Sequence, residues 1–178
     1  MRDPSARAMV FCGQLPLLGT LAAVAYIFIA IDGAPTFEPL SDGNAVVIQR
    51  GAPPHRPVDR RSTGPGLHER VPQPGRYRPV TKYRRYERYV DLEPSADPPA
   101  WTWPDAQPGV LLSDNAGDWR KIGGTPLFLQ SDESPPGDGW QFAFQFEAGW
   151  AGFELGDGAI CYGFTDRAGR GAMLWQCH

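Results

Sequence analysis

The chain reads as a mostly β protein with minor helix, in two sheet-forming halves joined by a long Pro/Arg-rich connector. Three observations predict this. The 178 residues include 21 Gly and 19 Pro, a proportion that favours many turns and short elements over long helices. Six Trp, six Tyr and nine Phe suit half-buried pleated surfaces. The densest apolar block, Lys121 to His178, consists of short runs separated by turn chemistry: SPPGDG, GDG and DRAGRG.

Taken in order, Met1 to Ala8 is polar and expected to fray. Met9 to Ile31 is nearly uncharged, with Arg2 and Arg7 ahead of it, and by hydropathy is a candidate membrane span. Gly13, Gln14, Pro16 and Gly19 break that run early, and Val24 to Ile31 is β-branched and aromatic, ending at the turn pair Asp32-Gly33. Strands therefore compete with a span. Asn44 to Gln49 reads as a buried strand. These elements form a first β unit over residues 9–50.

Residues 51–109 form the connector. Gly51 to Pro79 lacks apolar periodicity and is expected to run extended over the surface. Arg78 to Glu93 alternates without a clean apolar side, which predicts an edge strand near 80–92. Pro94 to Gly109 is a second Pro-rich crossing, anchored by Trp101 and Trp103.

The second β unit spans 110–178. Val110 to Lys121 fits one helical turn or a loop. Strands are expected at Pro126–Gln130, Trp140–Glu147, Ala159–Thr165 and Ala172–Cys177, the last two forming a hairpin through Asp166 to Gly171. Phe142, Phe144 and Phe146 alternate with Gln141, Ala143 and Gln145, so all three rings are expected on one core face.

The two units share ordered landmarks. Gln14 answers to Gln145, Tyr26-Ile27-Phe28 to Tyr162-Gly163-Phe164, and VVIQ at Val46 to Gln49 to MLWQ at Met173 to Gln176. Order is kept while spacings differ, as in a duplicated β unit whose loops have drifted. On that reading Tyr26-Ile27-Phe28 is a sheet strand, and the membrane anchor through 9–31 becomes the lesser alternative.

Charge is uneven. Eleven basic residues lie between Arg50 and Arg88 against Asp59, Glu69 and Glu87, whereas Asp91 to His178 holds thirteen acidic residues against Arg120, Lys121, Arg167 and Arg170. A basic middle and an acidic end attract each other within the chain, which is a simpler explanation than a nucleic-acid surface. The acidic half also suits a basic protein target. Three widely spaced cysteines, Cys12, Cys161 and Cys177, are neither a disulfide framework nor a zinc site. They read as reduced, small, half-buried residues of a cytosolic protein.

KIGGTPLFLQ, followed by a Trp-led strand, a Gly-Asp-Gly turn, YGF and a closing LWQC, resembles the YwqG-like family, bacterial proteins carrying a domain of unknown function. FCGQLPL, AYIFIAID and NAVVIQRG are similar to that family's first half. The motif positions are Gly123, Gly124, Pro126 and Gln130, then Gly156, Asp157 and Gly158, then Tyr162, Trp175 and Gln176. The resemblance covers nearly the whole chain, weakly from Gly51 to Trp101, and implies a mostly β fold in two parts. It brings no established catalytic residue. Some relatives lie beside secreted toxin genes, which implies a toxin-neutralising or immunity partner role. No counterpart of the GGTP stretch precedes Phe11, so the first half is expected to be short or trimmed.

No constellation assembles a reaction centre, so no catalytic residue, metal ligand or cofactor is assigned. His55 and His68 lie in the connector, His178 is terminal, and G-x-S-x-G is absent. SDNAGDW, with Asp114, Asn115 and Asp118, has the wrong ligand spacing for a calcium loop and reads as a turn. Gly156-Asp157-Gly158 has no following Lys-Ser/Thr. Glu147, Glu154 and Asp157 are grouped around one turn, as solvated carboxylates commonly are. The basic, Tyr-rich run carries a candidate contact patch at Arg84, Arg85 and Arg88 for a small ligand or nucleic acid, though edge-strand protection explains it as well. The expected function is therefore non-enzymatic binding of another protein by a cytoplasmic bacterial protein. Small-ligand or nucleic-acid binding is the alternative, and a membrane anchor the third reading.

Overall fold

The structure, a computed structural model, describes residues 7–17, 23–30, 34–51, 68–73, 80–85, 90–96, 120–152 and 155–177, with 68–73 and 80–85 described in their backbone alone. It is mostly β, with a single turn of helix among the described residues. Strands β1 (Met9–Leu17), β2 (Ala23–Ala30) and β3 (Asn44–Arg50) form an antiparallel sheet in the order β1-β2-β3. Strands β6 (Lys121–Ile122), β7 (Gln141–Glu147), β8 (Ile160–Thr165) and β9 (Gly171–Gln176) form a second, in the order β6-β7-β8-β9. Strands β4 (His68–Gln73) and β5 (Val80–Arg85) make a separate two-stranded ribbon.

The uncharged run that competes as a membrane span supplies β1 and β2, antiparallel partners with Gln14 opposite Tyr26. No helix among the described residues is long and apolar enough to cross a membrane. The connector needs correction as well. His68–Gln73 pairs with Val80–Arg85 even though Pro72 falls within it, opposite Thr81. A two-stranded ribbon is all edge, where a proline is tolerated. The strand expected near 80–92 is β5, and residues 90–96 are irregular and exposed. The helical turn or loop considered for 110–121 lies outside the described residues up to 119; the described helix is instead α1 (Ala148–Ala151), closed by Gly152 at φ 89°.

Strands β1-β2-β3 and β7-β8-β9 have one pairing register. Phe11 pairs with Phe28 as Phe142 pairs with Phe164, and Gln14 with Tyr26 as Gln145 with Tyr162. Tyr26 pairs with Val47 as Tyr162 pairs with Leu174, and Val24 with Gln49 as Ile160 with Gln176. Each first strand carries a bulge at the same place, between Phe11 and Gly13 and between Phe142 and Phe144. An extra residue at a bulge reverses the alternation beyond it. Phe142 therefore does not share a face with Phe144 and Phe146, contrary to strict alternation. It packs in a second cluster with Phe164, while Phe144 and Phe146 face the main core.

That main core lies between the sheets. Ala25, Ile27, Ile29 and Val46 of the first unit meet Phe144, Phe146, Cys161 and Met173 of the second. One cross-strand pair shows how volume is shared. Gly13 faces Ile27 in the first unit, and Phe144 faces Gly163 in the second. Large and small have exchanged strands, so each pair fills its slot once. A Cβ on Gly163 would sit 2.1 Å from the Phe144 ring. The sheets meet where β3 passes β9. Val47 and Arg170 form an isolated antiparallel bridge, and a Cβ on Gly171 would lie 2.3 Å from the Val46 carbonyl oxygen.

Candidate binding face

The segment after β6 runs across the outer face of the second sheet. Gly123 N–H still extends the ladder, donating to Ala143 O at 2.8 Å. Gly123 and Gly124 then take φ of 77° and 78°, a left-handed pair that turns the chain off the sheet edge. Pro126 has no N–H to pair. Residues 125–131 are consequently irregular, with bends at 129–131, and not a strand, correcting the strand expected at Pro126–Gln130.

Side chains replace the missing ladder. Leu127 N–H donates to Gln145 Oε1 at 2.9 Å. The Tyr162 hydroxyl donates to Leu127 O at 3.0 Å and accepts from Leu129 N–H at 2.8 Å. Gln176 Oε1 accepts from Leu129 N–H and Gln130 N–H at 2.9 and 3.0 Å, and Gln176 Nε2 donates to Ser131 O at 2.7 Å. Gln130 Nε2 closes the end on Cys177 O at 2.6 Å. Gln145, Tyr162 and Gln176 are all buried, and the bonds they make to the crossing segment offset the cost of burying them. Gln145 Nε2 alone is left without a partner, so this residue is used for its oxygen. Phe128 lies over Tyr162 and Phe164, with centroids at 5.0 and 6.5 Å. Burial drives the Tyr162 phenol well above its ordinary pKa, so its proton stays on.

The same residue types recur on the outer face of the first sheet, in the same register: Gln14, Tyr26 and Gln49. Here Gln14 and Gln49 are exposed, and the Tyr26 hydroxyl donates to Gln49 Oε1 at 2.9 Å in place of a crossing chain. Phe11 leans on Tyr26 and Phe28, with centroids at 6.5 and 5.5 Å, and remains 43% exposed. Val47, the counterpart of the fully buried Leu174, is 53% exposed. Val24 at the far end of the face is buried. Among the described residues no strand adds to the outer edge of β1, the position that β6 takes beside β7. No local pattern in the sequence marks this open face as a site; its one sequence signal is the match of Gln14, Tyr26 and Gln49 to Gln145, Tyr162 and Gln176.

The other motif positions have structural surroundings. Gly156 takes φ 145° and Gly158 φ 57° in the turn before β8, with Asp157 exposed between them. A Cβ on Gly156 would come within 3.1 Å of the Trp175 ring. Trp175 ties the units together: its Nε1–H donates to Thr36 Oγ1 at 3.0 Å and its ring meets Phe37 edge-on at 6.2 Å. Arg84 and Arg85 lie on β5, where the register sets Arg84 opposite Glu69 and Arg85 opposite His68. Arg88, His55, His178, Glu154 and the stretch 113–119 lie outside the described residues. Glu147 is exposed at the end of β7. Among the described residues no group of three His, Cys, Asp or Glu could hold a metal ion.

Two of the thiols, Cys12 and Cys161, are unreactive by environment. All three cysteines are free. Burial pushes Cys12 up to about 12 and Cys161 well above its ordinary value, the reverse of an activated nucleophile. At the β8–β9 turn, burial works against ionisation of Asp166, but hydrogen bonds from the Arg170 side chain and backbone outweigh it and lower the carboxyl pKa.

Compared with family models, curated proteins and solved structures, the chain has no match.

Proposed function

We propose that the chain is a non-enzymatic, cytoplasmic bacterial protein of the YwqG-like kind, whose two β units arose by duplication and whose first unit binds another protein. Neutralisation of a toxin is the role within this reading that the resemblance implies. The observation that carries it is the difference between two equivalent faces. One is sealed by residues 125–131, and the other leaves Phe11 and Val47 exposed beside Tyr26 and Phe28. Contiguous exposed aromatic and aliphatic surface rimmed by polar side chains is characteristic of protein interaction sites. The inert thiols of Cys12 and Cys161 and a protonated, fully bonded Tyr162 fit a scaffold better than a reaction centre.

The test is co-expression with the product of the adjacent gene and co-purification at equilibrium. A stable complex, with protection of cells if the neighbour is toxic, is the expected result. A chain that stays monomeric and binds no product of its neighbourhood overturns the proposal.

A further inference from the structure

We infer that the outer edge of β1, unpaired among the described residues, and the outer face of β1–β3 together form a docking site for an extended segment of a partner protein, with the chemistry of Lys121–Ser131. This rests on the protein-binding reading above and names the partner's recognised element. The second unit displays the occupied form of the site. There, Lys121 and Ile122 pair with Gln145 and Phe144, and Gly123 N–H reaches Ala143 O. The chain then crosses the face while Gln145, Tyr162 and Gln176 take up its N–H and C=O groups.

Carried through the common register, Gly13 and Gln14 stand where Phe144 and Gln145 pair with β6, and Cys12 O stands where Ala143 O accepts. Tyr26 stands for Tyr162 and Gln49 for Gln176. The face thus presents three hydrogen-bonding side chains spaced to receive a main chain. Its apolar positions, Phe11, Phe28 and Val47, stand where Phe142, Phe164 and Leu174 pack under Phe128 and Leu129. The expected ligand adds one or two residues to the β1 edge, turns at a pair able to take positive φ, and lays bulky apolar side chains across the sheet. Tyr26 would exchange its bond to Gln49 for bonds to the incoming chain, freeing Gln49 Oε1 for the N–H groups that Gln176 holds in the second unit.

A second copy of this chain is the weaker occupant. Its own Lys121–Ser131 segment already makes these bonds at home, so a swap between copies would leave one face open in each.

The probe is a labelled peptide, KIGGTPLFLQSD, corresponding to residues 121–132, titrated against the full chain by fluorescence anisotropy. Saturable one-to-one binding is expected, with V47R weakening it by about tenfold or more, as loss of a central apolar contact does. Q49A should weaken it as well. Both positions are exposed, and an unchanged melting curve shows that the variants fold. Absence of binding up to about 1 mM, the weak end of measurable affinity, overturns the inference. So does binding that V47R leaves intact, because the peptide would then be displacing the strap of the second unit. A concentration-dependent dimer abolished by V47R, without peptide binding, assigns the face to a second copy instead. The larger reading is separable: a partner complex that survives V47R keeps the protein-binding function and removes this face from it. A complex lost in V47R but not competed by the peptide keeps the face and removes the extended-segment ligand.

Discussion

Replacing Tyr162 and Tyr26 by Phe, one at a time, removes the same atom from equivalent positions and isolates what the crossing segment contributes. In the second unit the lost hydroxyl leaves the half-buried Leu127 O without its donor. Leu129 N–H loses its 2.8 Å acceptor but keeps Gln176 Oε1 at 2.9 Å. A fully buried orphaned acceptor costs about 1–3 kcal/mol, and this half-buried one about 1 kcal/mol, the lower end of that range. In the first unit the lost hydroxyl served only Gln49, which is exposed and turns to water, so the change should stay within about 0.5 kcal/mol. Tyr162→Phe should then lower the melting temperature by roughly 2–4 °C for each kcal/mol lost, and Tyr26→Phe hardly at all. Urea unfolding at constant m-value gives the free energies directly. Equal costs at the two positions would refute the reasoning, since they would mean that the strap contributes nothing beyond what an open face already has.

Further outcomes follow from packing and ionisation. Gly163→Ala drives a methyl into the Phe144 ring and should destabilise by about 1–3 kcal/mol; because the first unit carries the pair the other way round, Gly163→Ile with Phe144→Gly should be less harmful than Gly163→Ile alone in a double-mutant cycle. Gly171→Ala meets the Val46 backbone, which cannot step aside like a flexible side chain, so urea titration should show a loss of at least about 1 kcal/mol. Cys12 and Cys161 should resist alkylation at about pH 8 in the folded protein and react at once in denaturant. The raised thiol pKa of Cys12 means that the unfolded state ionises first, so its contribution is complete below about pH 9 and fades as pH climbs towards about 12; a flat stability profile across that range in wild type, compared with Cys12→Ala, would contradict the assignment. Asp166 has the opposite sign. Its lowered carboxyl pKa gives a contribution present at neutral pH and lost as pH falls through the folded value, which Asp166→Asn should abolish and NMR titration of the carboxyl should follow.

The features legible in the sequence are local ones. Short apolar runs bounded by Gly, Pro and Asp placed β2, β3, β7, β8 and β9 to within a residue or two, because strand and turn preferences act over a few neighbours. The ordered landmarks Gln14/Gln145, Tyr26/Tyr162 and Gln49/Gln176 were legible for the same reason: they sit inside strands whose lengths are fixed by pairing, while only loops drift. What the sequence left open is long-range. Alternation alone put three phenylalanines on one face, and the Ala143 bulge, which exists only against β8, sent Phe142 to the other. Pro126–Gln130 has strand-like residues, yet its N–H groups are claimed by side chains up to 47 positions away, which no local pattern encodes. His68–Gln73 became a strand because a partner lay within reach at Val80–Arg85. The difference between a sealed and an open face is likewise tertiary. Two triads of the same residue types are indistinguishable as sequence; whether a chain crosses over them is decided by what each sheet edge meets.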